Sequence, residues 1–133
     1  MKKIFSLAAL IFSFLLITSC DNGRDYDEIT DTEAVKIDSV KIVSNSMNVY
    51  EVQSIRTYST FTSGCEGFYI YDYQKSGLER QVTAIGFKTN RTCSQSTYSQ
   101  MSQFNFQPVE AGIYTFKFAQ GNNNFITKTI VVQ

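Results

Sequence analysis

Glu110-Ala111-Gly112-Ile113-Tyr114-Thr115-Phe116, continued by Lys117-Phe118, is the stretch on which the fold turns. Tyr114, Phe116 and Phe118 alternate with Thr115 and Lys117, so three aromatic rings share one face of a strand with one buried side. Working outward, the residues after position 19 are rich in Val, Ile, Thr, Phe and Tyr, and Leu78 is their one Leu. Branched and aromatic side chains suit a pleated, half-buried surface. No window holds a 3.6-residue apolar period, so the chain reads as all-β. Seven strands are predicted: A 35–43, B 49–61, C 68–73, D 80–88, E 101–107, F 112–119 and G 125–132. Strand A carries an irregularity at Asp38-Ser39, where the alternation changes phase. Turn signals separate the strands, among them Lys75-Ser76-Gly77, Pro108 and Gln120-Gly121-Asn122-Asn123.

The quoted stretch resembles the F-strand signature of immunoglobulin-like domains, acid-x-Gly-x-Tyr-x-Cys, with Phe116 in place of the Cys. The resemblance implies a seven-stranded antiparallel Greek-key sandwich with Tyr114 as a tyrosine corner, its hydroxyl bonded to backbone upstream. The Phe116 departure and the absence of Trp direct the likeness to the broad sandwich architecture rather than to antibody domains. Composition alone leaves another β-sandwich or a small barrel open.

The N-terminus has its own logic. Lys2 and Lys3 precede a 14-residue uncharged run, IFSLAALIFSFLLI, too short to span a bilayer and of the length of a signal-peptide core. It ends in Ile17-Thr18-Ser19-Cys20, which resembles the lipobox of bacterial lipoproteins. That resemblance implies cleavage after residue 19 and a covalent lipid on Cys20, such as palmitate; a plain secretory signal is the alternative. Residues 20–33 then read as the lipidated Cys and a disordered tether, with six acids and one base over 21–33. The domain is expected over 34–133, with nine Lys or Arg and six Asp or Glu. The acids after the Cys resemble the surface-export signal of Bacteroidota lipoproteins; a solvated spacer is the plainer account. The whole chain resembles small Bacteroidota lipoproteins that pair a lipobox with one immunoglobulin-like domain. This implies an outer-membrane location, at the cell surface or the periplasmic face.

With Cys20 taken by lipid, Cys65 and Cys93 remain, and an oxidising compartment favours their pairing over two free thiols. Cys65 falls in the B–C loop and Cys93 in the D–E loop, which share one end of the expected strand order.

Composition narrows the chemistry. The chain has no His, so Ser–His and Cys–His catalysis and His metal ligation are excluded. The acids of the domain form no motif for paired-carboxylate hydrolysis or Ca²⁺ binding. No catalytic residue, metal ligand or cofactor is expected beyond the lipid, and export with a weak positive charge argues against nucleic acid. Two features suit binding. In Phe68-Tyr69-Ile70-Tyr71-Asp72-Tyr73, alternation puts Tyr69, Tyr71 and Tyr73 on one face, where rings could stack on sugars or anchor a protein. The plainer alternatives make that face core or a set of cross-strand pairs. The D–E loop, 89–100, is long and polar and carries Arg91 and Tyr98; it could also be a solvated loop stapled by Cys93. Asp38-Ser39-Val40 matches a Bacteroidota O-glycosylation tripeptide, a three-residue pattern common by chance. The expected function is membrane-anchored, non-enzymatic binding of a protein or glycan partner, or envelope structure. The alternative is a carbohydrate-binding module of a surface glycan-uptake system.

Overall fold

The computed structural model describes residues 27–133; the signal run, Cys20 and the first part of the tether lie outside them. The described residues form nine strands and no helix. These are β1 Ile29–Val35, β2 Ser39–Ile42, β3 Ser46–Met47, β4 Gln53–Phe61, β5 Glu66–Ser76, β6 Glu79–Thr89, β7 Tyr98–Phe106, β8 Gly112–Gly121 and β9 Asn124–Val132. A three-stranded sheet runs β2-β4-β7; a six-stranded sheet runs β1-β6-β8-β9-β3, with β5 also on β6.

Side chains from both sheets meet in one aromatic core. Tyr114, Phe116 and Phe118 of β8 are all buried. Phe106 of β7 stands edge-on to Tyr114 and Phe116, with centroids 5.1 and 4.9 Å away, and Phe104 lies 6.5 Å from Phe118. Ile55, Val82, Ile130 and Val132 complete the packing. The β8–β9 hairpin closes through Asn122 and Asn123, both at positive φ, as a right-twisted two-residue hairpin turn requires.

The sheet order corrects the expected antiparallel arrangement. β6, not β5, is the neighbour of β8, and the two run parallel over Glu79–Val82; β3 also runs parallel to β9. β6 is paired along both edges: with β5 on one side, and with β8 and then β1 on the other. Extra strands come from pairing that side-chain patterns do not encode. Predicted strand A spans the end of β1 at Val35 in the large sheet and all of β2 in the small one. At its irregularity the chain crosses over: Ile37 N–H donates to Ala119 O in the large sheet (3.0 Å), and Asp38 N–H to Tyr58 O in the small one (2.8 Å). Ile37 is fully buried at the crossing.

The boundary at residue 34 also moves. Ile29–Val35 pairs antiparallel with β6 from Thr89 to Ala84, so the second half of the expected tether belongs to the large sheet. Acid-rich composition suggests disorder, but here order comes from backbone bonds and from paired charges. Lys88 meets Glu33 at 2.5 Å and Arg91 meets Asp27 at 2.7 Å. The hydrogen bond that the Lys88 ammonium donates to Glu33 holds it above its ordinary pKa. The approach of β1 needs Gly86, where a Cβ would come within 2.7 Å of Val35 Cγ1.

Cys65 and Cys93 are joined, with Cα atoms 5.6 Å apart across a 28-residue separation. The bridge ties the β4–β5 and β6–β7 loops and is worth about 3–4 kcal/mol on a chain-entropy account.

Because Phe106 touches both Tyr114 and Phe116, Phe106→Ala is expected to cost about 3–5 kcal/mol. Urea denaturation followed by tyrosine fluorescence measures this. A loss below about 1 kcal/mol would show that the two sheets do not depend on that contact.

Candidate functional site

The free edge of β5 in the large sheet and the free edge of β7 in the small sheet face each other. Between them opens a cleft of about 400 Å³, within the usual range for small-molecule sites. Tyr71, Tyr73, Arg80, Phe104, Asn105 and Glu110 are among its walls.

A bulge in β5 decides which tyrosines reach it. The register with β6 shifts between Phe68 and Ile70, leaving Tyr69 as the extra residue. Phe68, Tyr71 and Tyr73 turn inward, while Tyr69 and Ile70 both turn outward, at 55% and 56% exposure. The expected three-tyrosine face is therefore split, because one inserted residue reverses a period of two. Tyr71 and Tyr73 set their rings edge-on to Phe104 at 5.1 and 5.5 Å. The Tyr71 hydroxyl is 2.7 Å from Thr57 Oγ1 on the opposite sheet.

Arg80 gives the cleft its charge. It is 9% exposed, and it is the charged residue among the buried ones described. One terminal nitrogen donates to Gly77 O (2.6 Å) and Glu79 O (2.8 Å), and the guanidinium lies 5.0 Å over the Tyr114 ring. Nε has no partner, and among the described residues no carboxylate comes within 4.0 Å. Burying a cation without a counter-ion costs several kcal/mol. The two carbonyls and the ring offset only part of that cost.

The rim holds a strained turn. Tyr50, 67% exposed, sits at φ +67°, a region that costs a bulky residue about 1–2 kcal/mol. Its N–H donates to Pro108 O (2.8 Å), and Gln107 Nε2 donates to its carbonyl (3.0 Å). Pro108 and Gln107 are cleft walls, so the turn is braced against the site. Glu51 locks the turn by accepting from Asn48 N–H (2.7 Å) and Nδ2 (3.0 Å), and these bonds lower its carboxyl pKa. Tyr114, buried beneath the cleft, donates to Glu110 O four residues upstream (3.1 Å).

The remaining sequence candidates sit elsewhere. Arg91 and Tyr98 lie at the disulfide end. Arg91 is tied to Asp27. Tyr98 belongs to β7 rather than to the loop before it, packs on Phe61 (5.7 Å) and donates to Glu66 O. Tyr69 lies on the outer face beside Ile70. Sequence reading missed Arg80 and Tyr50. The one local hint for Arg80 is a charge at an alternating inward position of strand D; Tyr50 carries none. A second cavity of about 320 Å³, walled by β1, β4, β6 and Glu66 of β5, has its two cations matched: Lys88 with Glu33 and Lys36 with nearby Asp38. No group of three or more Cys, Asp or Glu that could hold a metal ion occurs among the described residues. Comparison with family models, with curated proteins and with solved structures finds no match to the chain.

Tyr50→Gly is expected to raise stability by about 1 kcal/mol in urea denaturation, because Gly adopts positive φ freely. No gain would mean that the turn holds no strain.

Burial pushes the Tyr71 and Tyr73 phenols above the ordinary value near 10. The Thr57 hydrogen bond pulls Tyr71 the other way, and the Arg80 charge does so for Tyr73, both less strongly. The folded state therefore resists ionising them: stability is full below the ordinary phenol value and falls as pH rises through it. Phenolate absorbance is expected to show two tyrosines titrating late, and both should rejoin the main transition in denaturant.

Proposed function

We propose that the chain is an exported, lipid-anchored binding domain without enzymatic activity, held to the outer membrane through Cys20, whose recognition site is the β5–β7 cleft. One observation carries the reading: an aromatic-walled cleft with a buried cation that has no counter-ion. Arg80 braces the β5–β6 turn through Gly77 O and Glu79 O, and a ligand anion would supply the counter-ion that the fold does not. We assign the fold to a variant of the immunoglobulin-like sandwich. The Tyr114–Glu110 bond and the β4–β7 pairing, which matches the B–E pair of that architecture, support the assignment.

The layout suits an anchored receptor. Asp27 is fastened beside the disulfide, and only residues 21–26 separate it from Cys20, a reach of at most about 25 Å. From Glu66 at that end to Tyr73 in the cleft, β5 runs about 23 Å. The cleft then opens away from the anchored end, toward partners. A specific observation favours the carbohydrate-binding alternative: Tyr71, Tyr73 and Phe104 cluster beside the amides of Asn105 and Gln107, a combination suited to sugar rings.

Two measurements test the reading. Labelled palmitate should enter the protein and fail to enter a Cys20→Ser variant; incorporation that survives the substitution refutes the anchor. On an array of bacterial and host glycans, binding should be lost in Tyr73→Ala while circular dichroism is retained. Equal binding by the variant would move the site away from the cleft. Protease shaving of intact cells decides between the cell surface and the periplasmic face.

A further inference from the structure

We propose that the cleft selects anionic sugars: a glycan ring lies against Tyr73 and Phe104, and its carboxylate or sulfate is held at the Arg80 guanidinium. The proposal rests on the binding reading above and names the ligand class for the same site.

Three observations converge. Arg80 is more than nine-tenths buried, lines the cleft and has an unpartnered Nε. Its bonds to Gly77 O and Glu79 O use a single terminal nitrogen, and the Tyr73 hydroxyl is a further side-chain partner, so the five-donor fork keeps donors beyond these contacts. A guanidinium offers paired parallel donors that match the two oxygens of a carboxylate or sulfate. The charged walls are Lys75, Arg80 and Glu110, two cations against one carboxylate, so the cleft lining is net positive. No ion pair among the described residues cancels Arg80 or Lys75.

The fork is also held in place. The bonds to Gly77 O and Glu79 O and the Tyr114 ring 5.0 Å away hold the guanidinium in position, and the Tyr114 hydroxyl is itself bonded to Glu110 O. The ligand therefore meets a pre-oriented cation and pays little ordering entropy there. Tyr73 and Phe104 supply the apolar wall for a ring, while Asn105 and Gln107 supply donors and acceptors for hydroxyls. A neutral sugar would use the wall and the amides but leave the cation unmatched.

The test uses the complete chain in detergent micelles and three probes: trigalacturonate, a sulfated galactotriose and neutral galactotriose. Calorimetric titration should give one or both anionic probes at least about ten-fold tighter binding than the neutral one, weakening as salt rises. Arg80→Gln should abolish the preference. Because that variant removes two backbone hydrogen bonds, a second readout uses the unaltered protein: the Arg80 Nε–H signal in nitrogen-15 NMR should shift with the anionic probes and stay with the neutral one. Preference for the sulfated probe alone supports the anion site and identifies sulfate as its source; preference for trigalacturonate identifies carboxylate. Equal affinity for all three overturns the proposal and leaves the binding reading standing. No binding of any probe also overturns it, and the glycan array then decides the broader reading. A shift of the Arg80 signal with the neutral probe as large as with the anionic ones overturns it as well.

Discussion

Phe106 is wedged edge-on between Tyr114 and Phe116, and this contact joins the two sheets. β7 contributes Phe104 and Phe106 from the small sheet, and β8 contributes Tyr114, Phe116 and Phe118 from the large one. Each ring removes a large apolar area from water, and the edge-to-face geometry adds attraction beyond area. Ile55, Val82, Ile130 and Val132 pack around this seam. With a single Leu after residue 19, the domain depends on aromatic rings and branched side chains for its core volume. Such side chains are stiff and shaped, which favours one register of sheet on sheet.

The same seam creates the cleft. Phe104 packs on Phe118 on one side and on Tyr71 and Tyr73 on the other, so it belongs to both core and wall. The small sheet ends at β7 and the large one at β5, so nothing covers the gap between those edges among the described residues. Into that gap the fold places its buried guanidinium, resting on Tyr114. A structural arginine would ordinarily be matched by a carboxylate. Both lysines at the second cavity are matched in that way, which sets the β5–β7 cleft apart.

Local chemistry made some features legible in the sequence and left others hidden. The alternation of Tyr114, Phe116 and Phe118 identified β8 and its buried face because a half-buried strand has a period of two. The Asn122-Asn123 turn and the Cys65–Cys93 bridge were legible because residue type itself constrains them. The tyrosines of β5 were misassigned because the bulge at Tyr69 has no composition signal; it is a property of the pairing with β6. The tether was misjudged for the same reason. Ile29–Val35 has the composition of a spacer and becomes a strand only because β6 offers a free edge, with Lys88 set to meet Glu33 and Arg91 to meet Asp27 just before the strand.

The sequence by itself determined the all-β class, the aromatic core strand, the hairpin turn, the disulfide partners and the absence of histidine chemistry. These follow from side-chain shape, period and residue type, which act over a few neighbouring residues. The tertiary structure alone decided the mixed sheet with β6 beside β8, the crossing of the chain between sheets at Ile37, and the cleft with Arg80 in its wall. Each of these depends on which backbone edges find one another across long separations. Hydrogen-bonding groups of the backbone are the same at nearly every residue, so no local reading of side chains can choose among their partners.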